Sequence, residues 1–342
     1  MSETILKVED LKTSFMTSSG EVQAVRGVSF EVHKGEILGI VGESGSGKSV
    51  TSMSILRLLA DTARIKNGKI EFEGTDLTKV SDKQMREIRG QKIAMVFQDP
   101  MSSLNPLIPV GKQVAEMIHV HHPEMKRDEL QAATLELFRE VRIPEAEKRL
   151  KSYPHEFSGG MRQRVVIAIA VACNPQILIC DEPTTALDVT IQAQILQLLK
   201  EMQVKYNLTI VLITHDLGVV ADIADRVAVM YAGDIVEIGT SDDIYYDPRH
   251  PYTWALLSSM PQMGIKGEDL FNIQGTPPNL FTEIHGDAFA PRNPQALKID
   301  FVKRPPYFTV SPTHKAKTWL LDPRAPKVEP PLAVKLLKEE GM

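Results

Sequence analysis

Three short stretches of the chain carry residues that could do phosphate chemistry: GESGSGKS at 42–49, ILICDE at 177–182 and SGGM at 158–161. A backbone that wraps an anion must point N–H groups inward and keep side chains out of the bend, which suits Gly42, Gly45 and Gly47. Glu43, Ser44 and Ser46 fill the loop between them, and Val50 opens the run that follows. Lys48 is then expected to reach the outer phosphates of a nucleoside triphosphate, with the Ser49 hydroxyl on Mg²⁺.

The metal and the attacking water need acids. A run of apolar residues ends on Asp181 and Glu182. Asp181 is expected to hold Mg²⁺ through water, and Glu182, the next residue, to take the proton of the attacking water. The apolar run NLTIVLIT stops at His215, a polar group suited to meet a γ-phosphate. KIAMVF ends at Gln98, whose neutral amide could touch both metal and water. In HEFSGGMRQR a serine and two glycines precede a long apolar helical run, far from Lys48. Oriented N–H groups and a helix dipole there make a second anion-ready turn.

These residues need elements to hold them. Residues 5–32 alternate in short runs broken at SSGE and Gly27, as antiparallel strands with turns do. GEILGIV reads as a buried strand, followed by the glycine loop and by VTSMSILRLL with helical apolar spacing. Strand, glycine loop and helix is the context a Walker A match requires. GKQVAEMIHV and DELQAATLELFREV read as helices, with breaks at Pro109, Pro123 and Pro144. QDPMSSLNP is expected to be an exposed, stiff, apolar loop presenting Met101 and Leu104 to a partner.

Bulk properties narrow the class. A chain of 342 residues, 43% hydrophobic and 24% charged, is ordinary for globular protein of one or two domains. A formal net charge of −5 and the lack of a Lys/Arg cluster argue against nucleic acid as a partner. The two cysteines, Cys173 and Cys180, lie in apolar stretches and are expected to be buried, inert thiols of a reducing compartment. MSETILKVED has no basic segment followed by an apolar one, and no run of about 18 apolar residues occurs, so a cytosolic chain that does not cross a bilayer is expected.

The order of the parts (glycine loop, Gln98, SGG, Asp181 and Glu182, then ALD at 186–188, then His215) resembles the ATP-binding cassette (ABC) ATPases, and FSGGM resembles their signature motif. The resemblance covers nearly all of the first 250 residues. It implies an α/β P-loop NTPase with a RecA-like mixed sheet core, an antiparallel β subdomain and an α-helical subdomain at about 99–172. It implies ATP and Mg²⁺ as ligands, and a head-to-tail sandwich in which Ser158, Gly159, Gly160 and Met161 bind the γ-phosphate held by the opposing subunit. Met161 stands where the family commonly has glutamine. Asp188 is the aspartate of the family's D-loop, and Phe15 falls where members stack an aromatic on the adenine.

GESGSGKS, VFQDPMSSLNP, SGGMRQRV, DEPTTALDVTIQAQIL and PRHPYTWALLSSMP together look like the ATPases of oligopeptide/dipeptide importers, of the D type. On that likeness the ABC ATPase domain spans 1–259 and a C-terminal extension spans 260–342. IQGTPPNL and GDAFAPRNP match that extension, whose prolines predict loops and short elements. Many relatives carry four cysteines there for an iron–sulfur cluster. This chain has Asp287, Asn293, Asp300 and Thr318, so no cluster is expected. The likeness implies an F-type second ATPase, two transmembrane permease subunits and an extracellular peptide-binding protein as partners, at the cytoplasmic face of a bacterial membrane. Rival readings are a nickel or modified-peptide importer of the same branch, a soluble ABC ATPase of DNA repair, and a translation-associated cassette. The repair ATPases typically insert coiled coils or zinc-binding cysteines, and the last has two cassettes per chain; neither feature occurs here.

Overall fold

The computed structural model describes residues 3–260 and 273–340, so 261–272, within the expected extension, lies outside the described residues. Two compact units emerge, one of residues 1–33, 37–79 and 214–342, the other of 34–36 and 80–213.

In the first unit, strands Thr4–Thr17 and Gly20–His33 pair antiparallel, and Thr4–Thr17 also pairs with Ala63–Phe72, followed by Thr75–Asp76. One face is apolar: Leu6, Leu11, Val28, Val32 and Ile70 are fully buried. The expected alternation over 5–32 is therefore realised as a hairpin. A second, mixed arrangement holds the glycine loop. Ile37–Val41 runs parallel to Arg226–Tyr231, which turns back antiparallel into Asp234–Thr240. All five residues of Ile37–Val41 are buried, as expected of a parallel strand covered on both faces. Ala232 and Gly233, at φ 45° and 79°, close the hairpin with the doubly left-handed turn that matches strand twist.

The C-terminal part of this unit consists of 3₁₀ turns (Ala290–Arg292, Lys298–Phe301, Trp319–Leu321), two-residue strands and the helix Leu332–Glu340. Lys315–Ala316 pairs with Asp234–Thr240, extending its edge. Charges reinforce the joint. Asp234 accepts from Lys317 Nζ at 2.6 Å and from Arg304 Nε at 3.0 Å, and Glu237 contacts His314 at 2.8 Å. Buried carboxylates of this kind persist only when paired.

In the second unit, Ile93–Val96, Ile177–Asp181 and Thr209–Thr214 are parallel, with Ile93 opposite Ile177 and Ile177 opposite Thr209. The helices Val110–His121, Arg127–Glu140, Gly159–Val171 and Val189–Tyr206 lie between these strands in the chain, as the crossovers of parallel strands require. The helices Val110–His121 and Arg127–Glu140 end before Pro123 and Pro144, and Pro109 is the N-cap of Val110–His121.

Two expectations need correction here. QDPMSSLNP is not an exposed loop throughout: Asp99 accepts from Met101 N and Ser102 N and so caps a short helix, Pro100–Ser103. That turn leaves Met101 52% exposed but folds Leu104 inward to 3%. Cys180 is buried on its strand, whereas Cys173 is only half-buried, because it follows the C-cap residue Ala172. Burial pushes both thiols upward, with Asp181 adding to the rise at Cys180. Among the described residues no helix is long and apolar enough to cross a membrane.

Candidate active site

The glycine loop links the buried strand Ile37–Val41 to the helix Lys48–Ile55. Its glycines are demanded sterically. A Cβ on Gly42 would sit 2.0 Å from Met230 O, and Gly47, at φ 101°, would place one 2.5 Å from Ala24 O. At Gly45, by contrast, an added Cβ meets nothing within 4 Å, so the loop's outer bend opens to solvent. Ser44 and Gly45 are exposed, Ser49 and Val50 half-buried. Lys48 is 5% exposed and folds back along the loop, donating to Gly42 O at 2.7 Å and Glu43 O at 2.9 Å. This is a cradle with backbone on one side and an ammonium along it, which fits a polyphosphate. Glu43 N donates to Tyr252 OH at 2.8 Å, fixing the loop's second residue from outside.

Phe15 lies in the same unit, half-buried on Thr4–Thr17 and paired with Val22 and Ala63, so part of its ring remains available for stacking. His215 follows Thr209–Thr214 directly and is exposed.

The second unit brings Gln98 and Glu182 together. Gln98 Nε2 donates to Glu182 Oε2 at 3.0 Å, and Thr185 Oγ1 donates to the same oxygen at 2.8 Å. Gln98 sits two residues past the strand Ile93–Val96, not on it. Glu182 N donates to Ile213 O, so the ladder continues to the acid, where the backbone turns to φ 47°. A non-glycine residue in that conformation costs about 1–3 kcal/mol and persists where surroundings impose it. Ala186, at φ 64°, repeats the feature four residues on. Asp181, on the strand itself, is buried at 3% exposure. Its carboxylate, like the amide oxygen of Gln98 in the same unit, is an oxygen donor of the hard kind that suits Mg²⁺.

SGGM begins the helix Gly159–Val171. Ser158 is its N-cap, its hydroxyl accepting from Met161 N at 3.3 Å. Ser158 and Gly159 are exposed, so the positive end of this helix faces outward. Gly160 is buried, and a Cβ there would lie 2.5 Å from Ile191 Cγ2. Asp188 has a local duty: its Oδ1 accepts from Ile191 N at 3.0 Å and caps Val189–Tyr206.

Asp287, Asn293, Asp300 and Thr318 are all buried, at 7%, 8%, 2% and 2% exposure. Each turns its side chain on nearby backbone: Phe289 N, Gln295 N, Leu297 N and Leu320 N respectively donate to them. Burial, with the charges of Asp300 and Asp234 adding, pushes the Asp287 carboxyl from 3.8 up to about 7. A folded-state pKa raised in this way gives stability that is full below the unfolded value and lost as pH rises through the folded one. Asp287→Asn keeps the acceptor and removes the titration. Its stability relative to the native chain should therefore rise between pH 4 and about 7 and then level off, as urea midpoints at pH 4.5 and 8 would show.

Sequence reasoning missed Tyr252 and Arg292, which bind the glycine loop from outside. The only local signal was their place inside the quoted stretches PYTWALL and APRNP.

Comparison with known proteins points the same way as the geometry. A family model described as "ABC transporter" matches residues 25–185, and one described as "Oligopeptide/dipeptide transporter, C-terminal region" matches 236–299. The chain is 59% identical to the oligopeptide transport ATP-binding protein OppD of Bacillus subtilis, over 97% of this chain and 93% of that protein. It is 55% identical to the dipeptide transport ATP-binding protein DppD of Lactococcus lactis, over 96% and 94%. Among solved structures it resembles the ADP- and Pi-bound dimer of the ATP-binding cassette MJ0796, with TM-score 0.63 and 28% identity over 69% of this chain and 98% of that one.

Proposed function

We propose that this chain, which belongs to the ABC transporter ATPase family, powers import of oligopeptides or dipeptides by hydrolysing ATP. The observation that carries the cargo reading is the presence in one chain of the cassette's motifs and the C-terminal region of peptide transporters.

The residues divide the work. Gly42–Ser49, with Glu43, Ser44, Gly45, Ser46 and Gly47 between, hold the phosphates by backbone N–H groups, with Lys48 offsetting their charge and Val50 at the start of the helix. Ser49, Gln98 and Asp181 are the oxygen donors for Mg²⁺, which when bound neutralises charge on the phosphates. Glu182 accepts the proton of the attacking water, oriented by Gln98 and Thr185. His215 contacts the γ-phosphate. Ser158, Gly159, Gly160 and Met161 serve the nucleotide of an opposing subunit, a role their outward helix start supports, with Asp188 in the neighbouring D-loop. Phe15 stacks on adenine. Phe15→Ala should weaken ATP binding about tenfold, roughly the 1–3 kcal/mol of one base–aromatic stack, as a fluorescent ATP analogue would report.

The partners inferred are an F-type ATPase, two permease subunits and an extracellular peptide-binding protein, with this chain peripheral on the cytoplasmic face. The test is to tag the chain, solubilise native membranes gently and identify what is captured with ATP present. Two integral membrane subunits, a second cassette and a peptide-binding protein are expected. Capture of soluble proteins or nucleic acid alone would overturn the transporter reading.

A further inference from the structure

Among the described residues of the C-terminal extension, Arg292 holds a residue of the phosphate loop by an ion pair. Arg292 ends the 3₁₀ turn Ala290–Arg292, and its side chain is 5% exposed. Its guanidinium grips Glu43 with both terminal nitrogens, Nη1 to Oε2 at 2.7 Å and Nη2 to Oε1 at 3.0 Å. The other N–H groups are used as well: Nη1 also donates to Tyr231 OH at 3.2 Å, Nη2 to Ile273 O at 3.3 Å and Nε to Gln274 O at 3.0 Å. The planar fork is what allows one side chain to serve acceptors in several directions at once; an ammonium could not.

The grip is rigidly backed. Phe289, three residues before Arg292, packs among Tyr231 and Tyr252, ring centroids 5.4 and 5.3 Å away, and Arg292 lies over both Tyr231 and Phe289. Tyr252 of the same cluster accepts the Glu43 N–H. Glu43 is thus fixed by backbone and by side chain, from the extension and from the helix Pro251–Ser258. Its own carbonyl, in turn, holds Lys48 Nζ. Burial alone would lower the guanidinium's pKa, but its bonds to Glu43 and Tyr231 outweigh that and raise it.

We propose that Arg292 is a positioning residue for the phosphate loop: through Glu43 it holds the loop and Lys48 in the anion-binding shape, making ATP affinity depend on the C-terminal extension. The inference rests on the reading of 42–49 as the ATP site. A carboxylate and a guanidinium 249 positions apart in sequence, matched in a bidentate pair at the second residue of a phosphate loop, serve no need of the loop's chain path alone, since its glycines already permit that.

The test uses the full chain. The dissociation constant of a fluorescent ATP analogue with Mg²⁺ is measured for the native chain, Arg292→Ala, Arg292→Lys, Glu43→Gln and the Glu43→Gln/Arg292→Ala double variant, beside thermal midpoints without nucleotide. Arg292→Ala should weaken binding about tenfold, in line with the cost of slight misplacement of a positioned group, and raise KM with kcat at saturating ATP unchanged. Glu43→Gln should weaken binding by a similar factor, and the double variant should be no weaker than either single one. Arg292→Lys, which keeps the charge and loses the fork, should weaken binding as well; it and Glu43→Gln decide the matter if Arg292→Ala does not fold. Native affinity in folded Arg292 variants, or effects of the two positions that multiply, would overturn the proposal. A native chain that binds no ATP would instead overturn the reading of the site itself, and Lys48→Ala is the control that separates the two.

Discussion

Glu182→Gln should lower steady-state ATP turnover by about 10²–10⁴-fold while leaving ATP binding intact, the range expected for loss of one general base. Glutamine occupies the same space and still accepts from Gln98 Nε2 and Thr185 Oγ1, which fix the native carboxylate at 3.0 and 2.8 Å. The change therefore removes basicity with little change of shape. The left-handed backbone at 182 is likewise retained, because the bond from Glu182 N to Ile213 O does not involve the side chain. On the proposed sandwich with the F-type ATPase, which hydrolysis would reopen, the variant should accumulate with that partner as an ATP-bound dimer, visible by size-exclusion chromatography in ATP. Turnover at the native rate would remove Glu182 from the reaction.

Lys48→Ala should also lose about 10²–10³-fold in turnover, comparable to deleting one preorganised charge stabiliser, but by a different route. The ammonium lies along the loop on Gly42 O and Glu43 O, so its loss strikes nucleotide binding as well as chemistry. The two variants are told apart by binding. Glu182→Gln should retain a fluorescent ATP analogue, and Lys48→Ala should release it at the same concentration. Equal affinity in both would mean that Lys48 makes no contact with the phosphates.

Much of this was legible in the sequence because the signals are local. Gly42 and Gly47 appear as glycines for reasons an observer of eight residues can state, and the structure supplies the atoms they would strike, Met230 O and Ala24 O. Ile37–Val41 and Ile177–Asp181 read as buried strands because every residue in them is buried, leaving no alternation to misjudge. Ser158 announced a helix start by the same rule that Asp188 obeys, although at Asp188 the motif hid a plain capping duty.

What failed to show is non-local. Leu104 turns inward because Asp99 caps a helix that a proline-rich stretch disguised, and packing decides the fate of one apolar residue beside it. Cys173 is half-buried because its helix ends just before it. The Arg292 to Glu43 pair spans 249 positions and has no spacing to betray it; only the fold brings a proline-flanked arginine to the phosphate loop.

The central claim is that ATP hydrolysis at these residues drives peptide import. The most direct measurement is uptake of a labelled peptide by cells whose sole copy of this chain is native or Glu182→Gln, at matched expression and with assembly of the membrane complex checked by pull-down. Uptake in the native cells that falls to background with Glu182→Gln, the complex still assembled, is the result expected. Equal uptake in both, with the complex present, would contradict it.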